Sequence, residues 1–342
     1  MTALINRQVR LRAHPVGIPD ADTWSFTTEP VAEPAEGEFL AKILCIAMDP
    51  AMRVWLNKGD TYVSHVGLGD VMRASVVATV VASKHPDFAP GDCVAGRLGV
   101  QQYAISKGVD MIGHAVVKIP KGTVAPSAYL GVLGIPGLTA YFGLLEVGRP
   151  QAGQTVVVSG ATGAVGSVVG QIARIKGCRV VGIAGGPDKC AYLKDVLGYD
   201  GAVDYQAGDV SGQLAKLCPD GIDIYFDNVG GDVLDAALTQ LALRARVVLC
   251  GAMSQYSATG PIAGPRNYRN LLIKRARMEG FVLYDYTAQY EKARAELAGW
   301  LADGSLIARE EVMEGLDSFP EAMRRMLTGS KTGKLLVRLA EA

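Results

Sequence analysis

The sequence predicts an α/β protein: a doubly wound parallel-sheet domain joined to a second, β-rich domain. Three observations carry this. From residue 155 onward, short apolar runs alternate with helix-length segments, as strands joined by crossover helices require. Those runs show little polar alternation, as expected of strands covered on both faces. Residues 1–125 read instead as short strands broken by Gly, Pro and Asp.

Taken in order, "GEFLAKILCIAMDP", "RASVVATVVASKHP" and "DCVAGRLGVQQYAIS" are the β-rich runs of the first segment, and their weak alternation suits a closed or two-sided buried β-structure. "SAYLGVLGIPGLTAYFGLLEVGRP" reads as helical pieces interrupted by Pro136 and Gly137. "TVVVSG" is a buried strand, and "AVGSVVGQIARIKG" a helix ending at Gly177. "RVVGIAG" is the next strand, followed by the helix "PDKCAYLKDVLG" with proline near its start. "GAVDY" precedes a short helix; "IDIYFDNVGG", "RVVLCGAM" and "RMEGFVLY" complete the strands. "DVLDAALTQL" and "QYEKARAELAGWLADG" are helices, and a Gly/Pro loop at 257–265 leads into a basic segment. Residues 305–342 return to turn-and-strand texture. The helix at 287–303 already completes six strand–helix units, so the tail is assigned to the first domain. The expected domains are 1–125 with 304–342, and 126–303.

Composition narrows the functions. Of 342 residues, 49% are hydrophobic and 20% charged, and 41 are glycine, a globular balance rich in tight turns. The 34 basic residues match 34 acidic ones, so no surplus charge exists to condense on nucleic acid or anionic lipid. Cys45, Cys93, Cys178, Cys190, Cys218 and Cys250 form no CxxC pair and read as buried, reduced thiols. No apolar run reaches the roughly 18 residues of a membrane span. "MTALINRQVRLRAHP" lacks a leader's apolar core, so a reducing cytoplasm is expected.

"TVVVSGATGAVG" follows a strand and opens a helix, the context that a dinucleotide-binding fingerprint requires. Read as A-x-G-x-x-G, it places Ala161 at the first glycine position, then Gly163 and Gly166, with Ala164 and Val165 between them. Gly163 lets the backbone approach a pyrophosphate, Gly166 lets the helix pack against the sheet, and the helix N-terminus offers free N–H groups. The alternative is a purely structural turn. NAD sites usually carry an acid at the tip of the second strand. Here "VVGIAGGPDKC" presents Gly185 and Gly186, with Lys189 three residues later. A missing carboxylate and a nearby ammonium favour the 2′-phosphate of NADP(H), although Asp188 is adjacent and Lys189 could simply be a solvated helix residue.

Catalytic zinc needs converging ligands, and His14, His65, His85 and His114 are not spaced for joint ligation. No Gly-x-Ser-x-Gly elbow is present, and no His is placed to serve Ser254. Hydride transfer from the cofactor remains. Tyr256 lies in the loop after "LCGAM", at the carboxyl end of the sheet, where a hydroxyl could stabilise a developing oxyanion. Alternatively it is a packing residue.

Across essentially its whole length the chain resembles the zinc-independent medium-chain dehydrogenase/reductases that include leukotriene/prostaglandin reductases, plant double-bond reductases and curcumin reductase-like enzymes. The segments carrying the resemblance are "MDPAMR" (48–53), "GIPGLTAYFGL" (134–144), "SGATGAVGSVVGQIAR" (159–174), "FDNVGG" (226–231), "GAMSQY" (251–256), "RMEGF" (277–281) and "GSKTGK" (329–334). The resemblance implies a GroES-like β-barrel domain beside a Rossmann domain. It also implies NADPH-dependent reduction of the carbon–carbon double bond of enones and enals, and a homodimer. It matches Lys189 and Tyr205 to the residues holding the 2′-phosphate, places Asn228, Cys250 and Thr139 in the cofactor site, and makes Tyr256 the catalytic candidate. Two positions depart from the family pattern. Ala51 stands where members often have tyrosine, giving a smaller pocket wall, and Lys331 stands where many have asparagine, still within the cofactor set. A quinone reductase on the same scaffold and a non-enzymatic NADPH-binding protein are the alternatives, with a zinc alcohol dehydrogenase behind them.

Overall fold

The computed structural model describes residues 4–59, 61–122 and 124–340. Along the chain the first strands are β1 (Ile5–Leu11), β2 (Trp24–Pro30) and β3 (Phe39–Ala47), then helix α1 (Ala51–Val54). They are followed by β4 (Val76–Ser83), β5 (Cys93–Gly96), β6 (Tyr103–Ser106) and β7 (Val117–Ile119). The middle segment runs α2 (Ile135–Phe142), β8 (Thr155–Ser159), α3 (Gly166–Ile175), β9 (Arg179–Ala184), α4 (Pro187–Asp195), β10 (Gly201–Asp204) and α5 (Val210–Leu217). It continues β11 (Ile222–Asp227), α6 (Gly231–Leu238), β12 (Leu241–Leu249), α7 (Arg269–Lys274), β13 (Arg277–Gly280) and α8 (Tyr290–Ala302). The tail adds β14 (Glu310–Glu314), α9 (Phe319–Leu327) and β15 (Lys334–Arg338).

These elements form two compact units, residues 1–131 with 310–342, and residues 132–309. In the first, β1 and β2 form an antiparallel ribbon, and the larger sheet has the order β14-β15-β3-β4-β5-β7, with β6 also on β3. β15 runs antiparallel to β3 and parallel to β14. Register shifts in β3 opposite β4 bend the sheet around its core. Within this unit Lys334 is buried and donates to the Met48 carbonyl at 3.1 Å and to the Asp49 carboxylate. The bond ties "GSKTGK" to "MDPAMR". Arg53, also buried, donates to the carbonyls of Gly17 (2.8 Å) and Pro15 (3.4 Å).

The second unit is a fully parallel six-stranded sheet of order β10-β9-β8-β11-β12-β13. The chain moves outward from β8 to β10, then returns to β11 on the other side of β8. The resulting crevice lies between the carboxyl ends of β8 and β11, where ligands bind in open α/β sheets. Every residue of β8 is buried.

The structure differs from the sequence reading in four elements. The tail contains α9, whose buried Phe319, Ala322, Met323 and Met326 follow helical spacing on one face. The short helix α1 falls within the segment that reads as strands, and α7 within the basic segment, for which the sequence predicts no element. Pro136 and Gly137 open α2 rather than interrupt it: proline lies in the first turn, and a methyl on Gly137 would stand 1.7 Å from the Val132 carbonyl oxygen. No described helix is long and apolar enough to cross a membrane.

Candidate active site

The expected site residues of the second unit follow the carboxyl ends of its strands, except Thr139, which lies in α2. After β8 the chain turns at Gly160, which has φ 59°. This is the position that glycine's freedom serves, one residue before the Ala161 that the fingerprint alignment selects. Gly163 N–H closes the turn on the Gly160 carbonyl at 2.9 Å. A methyl on Gly166 would stand 2.3 Å from that same oxygen, so α3 can begin there only with glycine. A methyl on Gly163 would meet only that oxygen, at 3.1 Å, leaving its outer side open. Gly163, Ala164 and Val165 are partly exposed. The residue before α3, Val165, supplies no side-chain cap; Ser167 and Val168 N–H donate to the Gly163 and Val165 carbonyls at 3.0 and 3.1 Å, and the positive end of the helix dipole faces the turn with no side chain over it.

At the tip of β9, Gly186 has φ 88° and its N–H donates to Asp204 Oδ1 at 2.8 Å. The same oxygen accepts from Gln206 N–H at 2.9 Å, which fixes the start of the Tyr205 turn. Tyr205 follows β10, whose Asp204 pairs in register with Ala184 of β9, so it stands beside the glycine pair. Lys189 is half-buried on the first turn of α4. The tip of β9 carries no acidic side chain.

After β11, Asn228 Nδ2 donates to the Ser159 carbonyl at 2.8 Å. After β12, the N–H groups of Cys250 and Gly251 donate to the Asp227 carbonyl at 2.9 and 3.0 Å. The loop then returns on itself, and Ala252 N–H donates to Tyr256 Oη at 3.1 Å. That bond uses an oxygen lone pair and leaves the phenol proton for another acceptor. Burial raises the Tyr256 phenol above its ordinary value, partly opposed by the Ala252 amide, so it stays protonated at neutral pH. The Cys250 thiol is pushed up to about 12, first by burial and then by the Asp227 charge, which makes it inert. Thr139 Oγ1 donates to the Ile135 carbonyl within α2 at 2.7 Å. Lys331 belongs to the other unit, where its ammonium donates to the Gly333 carbonyl at 3.2 Å.

Sequence reading missed Ser159 and Asp227, the polar residues ending two otherwise apolar strands. Both are buried, with exposures of 0% and 1%, and they bond to each other at 2.8 Å. The signal was legible: serine closing "TVVVS" and aspartate closing "IDIYFD".

Residues 7–113 match the family described as "N-terminal domain of oxidoreductase", and residues 164–299 the family described as "Zinc-binding dehydrogenase". The second description makes zinc a question of fit. Among the described residues no group of three His, Cys, Asp or Glu side chains is gathered to hold a metal ion. The residues present do not fit a zinc ion. They do fit a dinucleotide, because the open outer face of Gly163 and the uncapped start of α3 form a cradle for its phosphates.

The chain is 42% identical over 340 residues to the NADPH-dependent curcumin reductase of Escherichia coli (strain K12), covering 98% of this chain and 97% of the relative. It is 39% identical over 333 residues to prostaglandin reductase 1 of Mus musculus, covering 96% and 97%. The crystal structure of CurA in complex with NADPH from Vibrio vulnificus superimposes with a TM-score of 0.93 at 43% identity, covering 98% and 100%.

Proposed function

The chain belongs to the zinc-independent medium-chain dehydrogenase/reductases of the curcumin and prostaglandin reductase type, and from this we propose that it is an NADPH-dependent reductase of the carbon–carbon double bond of α,β-unsaturated ketones and aldehydes. The observation that carries this reading is that the glycine turn, the tip of β9 with no acid of its own and the Tyr256 loop all follow strand carboxyl ends of one parallel sheet, in a chain that aligns with these enzymes end to end.

In this reading Gly163, Ala164, Val165 and Gly166 seat the pyrophosphate, with Gly186, Asn228, Cys250 and Thr139 lining the rest of the cofactor path. Lys189 and Tyr205 take the 2′-phosphate, the ammonium by charge and the phenol by donation. Lys331 is a further cofactor contact. The bound cofactor supplies a hydride to the carbon β to the carbonyl. Charge then collects on the substrate's carbonyl oxygen as an enolate. Tyr256, its oxygen engaged by Ala252 N–H, donates its proton toward that oxygen and so stabilises the charge. Solvent or a relay protonates the α carbon.

The substrate is a small uncharged carbonyl compound, and Ala51 leaves its pocket wider. We read the protein as a cytoplasmic homodimer. Its six cysteines are all free thiols, as a reducing compartment keeps them. β13 is an edge strand, and Leu243 of β12 and Leu272 of α7, which packs on β12, are exposed apolar residues awaiting cover. Sedimentation would test the dimer.

The activity is tested by mixing the protein with 3-nonen-2-one and following NADPH and NADH consumption in parallel. Faster NADPH oxidation yielding the saturated ketone is expected. NADPH binding without turnover of any enone, enal or quinone would overturn the reading.

A further inference from the structure

Ser159 and Asp227 are the last residues of β8 and β11, so their hydrogen bond spans the crevice at which the strand order reverses. The donors around Asp227 are unusually one-sided. Oδ1 accepts from Ser159 Oγ (2.8 Å), Tyr225 Oη (3.1 Å), Val229 N–H (3.1 Å) and Gly230 N–H (3.0 Å), and Oδ2 accepts from Gly230 N–H at 3.1 Å. No ion pair among the described residues includes Asp227. A carboxylate taken out of water without a cation is costly unless donors replace the water. Its retention therefore calls for a local reason.

The bonds show what the carboxylate joins. Ser159 Oγ also accepts Asn228 N–H at 2.9 Å, and the chain after Ser159 is the Gly160 turn. The carboxylate holds the amides of Val229 and Gly230 inward, and Gly230 and Gly231 both take positive φ (71° and 58°). That turn in turn carries the Tyr256 loop: Asn228 and Val229 carbonyls accept Met253 N–H (3.2 Å) and Ser254 N–H (3.0 Å). Val229 also accepts Ser254 Oγ at 2.7 Å. A methyl on Gly230 would stand 3.2 Å from Ala252 Cβ, so turn and loop are packed together.

We propose that Asp227 is a positioning residue that locks the glycine turn and the Tyr256 loop into one assembly, so that the seat of the cofactor phosphates and the placement of the Tyr256 hydroxyl are set together. The proposal rests on the reading of Tyr256 given above. It predicts that damage at Ser159, which is remote along the chain from Tyr256, reaches both cofactor binding and turnover.

The test uses the full-length protein and the variants Ser159→Ala, Tyr256→Phe, their combination, and Asp227→Asn. Asparagine keeps one acceptor oxygen but sets an amide N–H₂ against Gly230 N–H. NADPH affinity is read by fluorescence titration, kcat with 3-nonen-2-one, and folding by thermal melting. Ser159→Ala removes the acceptor of the half-buried Asn228 amide and one donor to the Asp227 carboxylate, so its NADPH Kd should rise about tenfold, and its kcat should fall by about the same factor. Asp227→Asn should move both in the same direction. The kcat losses of Ser159→Ala and Tyr256→Phe should overlap, the double variant staying within about threefold of Tyr256→Phe, because coupled sites are not additive. Parental NADPH affinity in a folded Ser159→Ala protein, or losses that multiply in the double variant, would overturn the proposal. Parental kcat in Tyr256→Phe would instead overturn the donor role of Tyr256, so the two failures are read from different measurements.

Discussion

The Tyr205 ring covers Gly185: a methyl carbon built on Gly185 would stand 2.8 Å from Tyr205 Cε1, Cζ and Oη. The ring occupies the space a side chain at the tip of β9 would take, the position where an NAD-type site carries its acid. Glycine here and tyrosine there are one structural choice. Gly185→Ala must push the ring away, and it is expected to raise KM for NADPH about tenfold, the loss of one hydrogen bond to a charged group. Steady-state kinetics with NADPH and NADH would show the effect confined to NADPH.

Lys189 and Tyr205 are expected to act on the 2′-phosphate alone. Lys189→Ala or Tyr205→Phe should raise KM for NADPH by about 10- to 100-fold, the range of a charge-assisted bond, while leaving NADH within about twofold. Equal losses with both cofactors would show that these residues hold the fold rather than the phosphate.

Tyr256 carries a pH dependence whose sign follows from its environment. Burial raises its phenol above the ordinary value, so the proton-donating form is the one present at neutral pH. Turnover is expected to stay level from neutral pH upward and to fall only beyond the ordinary phenol range. The folded state holds this proton more tightly than the unfolded chain. The associated stability is present below that range and is lost as pH rises through the folded value. Tyr256→Phe should abolish the alkaline fall and lower kcat by about 10²-fold or more with NADPH affinity unchanged. A pH–rate profile of both proteins checks this.

In the other unit, Lys334 and Asp49 form an ion pair with side-chain exposures of 3% and 18%. Lys334→Met strands the carboxylate and frees the Met48 carbonyl, and is expected to cost about 3 kcal/mol. Denaturant titration of the variant should show it, and Asp49→Asn combined with Lys334→Met should recover part of the loss.

Prolonged dialysis against a chelator should leave enone turnover unchanged, because no described cluster fits a metal ion. Loss of activity restored by zinc alone would contradict that.

Much of the nucleotide-binding unit was legible before folding. Strands β8, β9 and β11 announce themselves through apolar runs and Gly punctuation, because parallel strands covered on both faces tolerate few polar residues. The acid-free "IAGG" and the glycine turn are local signals read in place. Helix α9 was also written in the chain, as Phe319, Ala322, Met323 and Met326, yet its short polar context reads as turn texture. Helix α7 gave little to read, because its Leu272 is 77% exposed and marks no core-facing stripe.

What the sequence by itself determined is the order of strands and helices, the glycine positions that only a residue without Cβ can fill, and the polar residues at strand ends. These follow from local sterics and burial, which act over a few residues. What only the tertiary structure decided is which of them meet. Ser159 and Asp227 are 68 residues apart in the chain, and they bond because the strand order reverses between β8 and β11. Tyr205 covers Gly185 because β9 and β10 pair in one register. Lys334 reaches Asp49 because the tail returns to β3. Pairing across a sheet is set by the packing of the whole layer, so no local pattern in the chain records it.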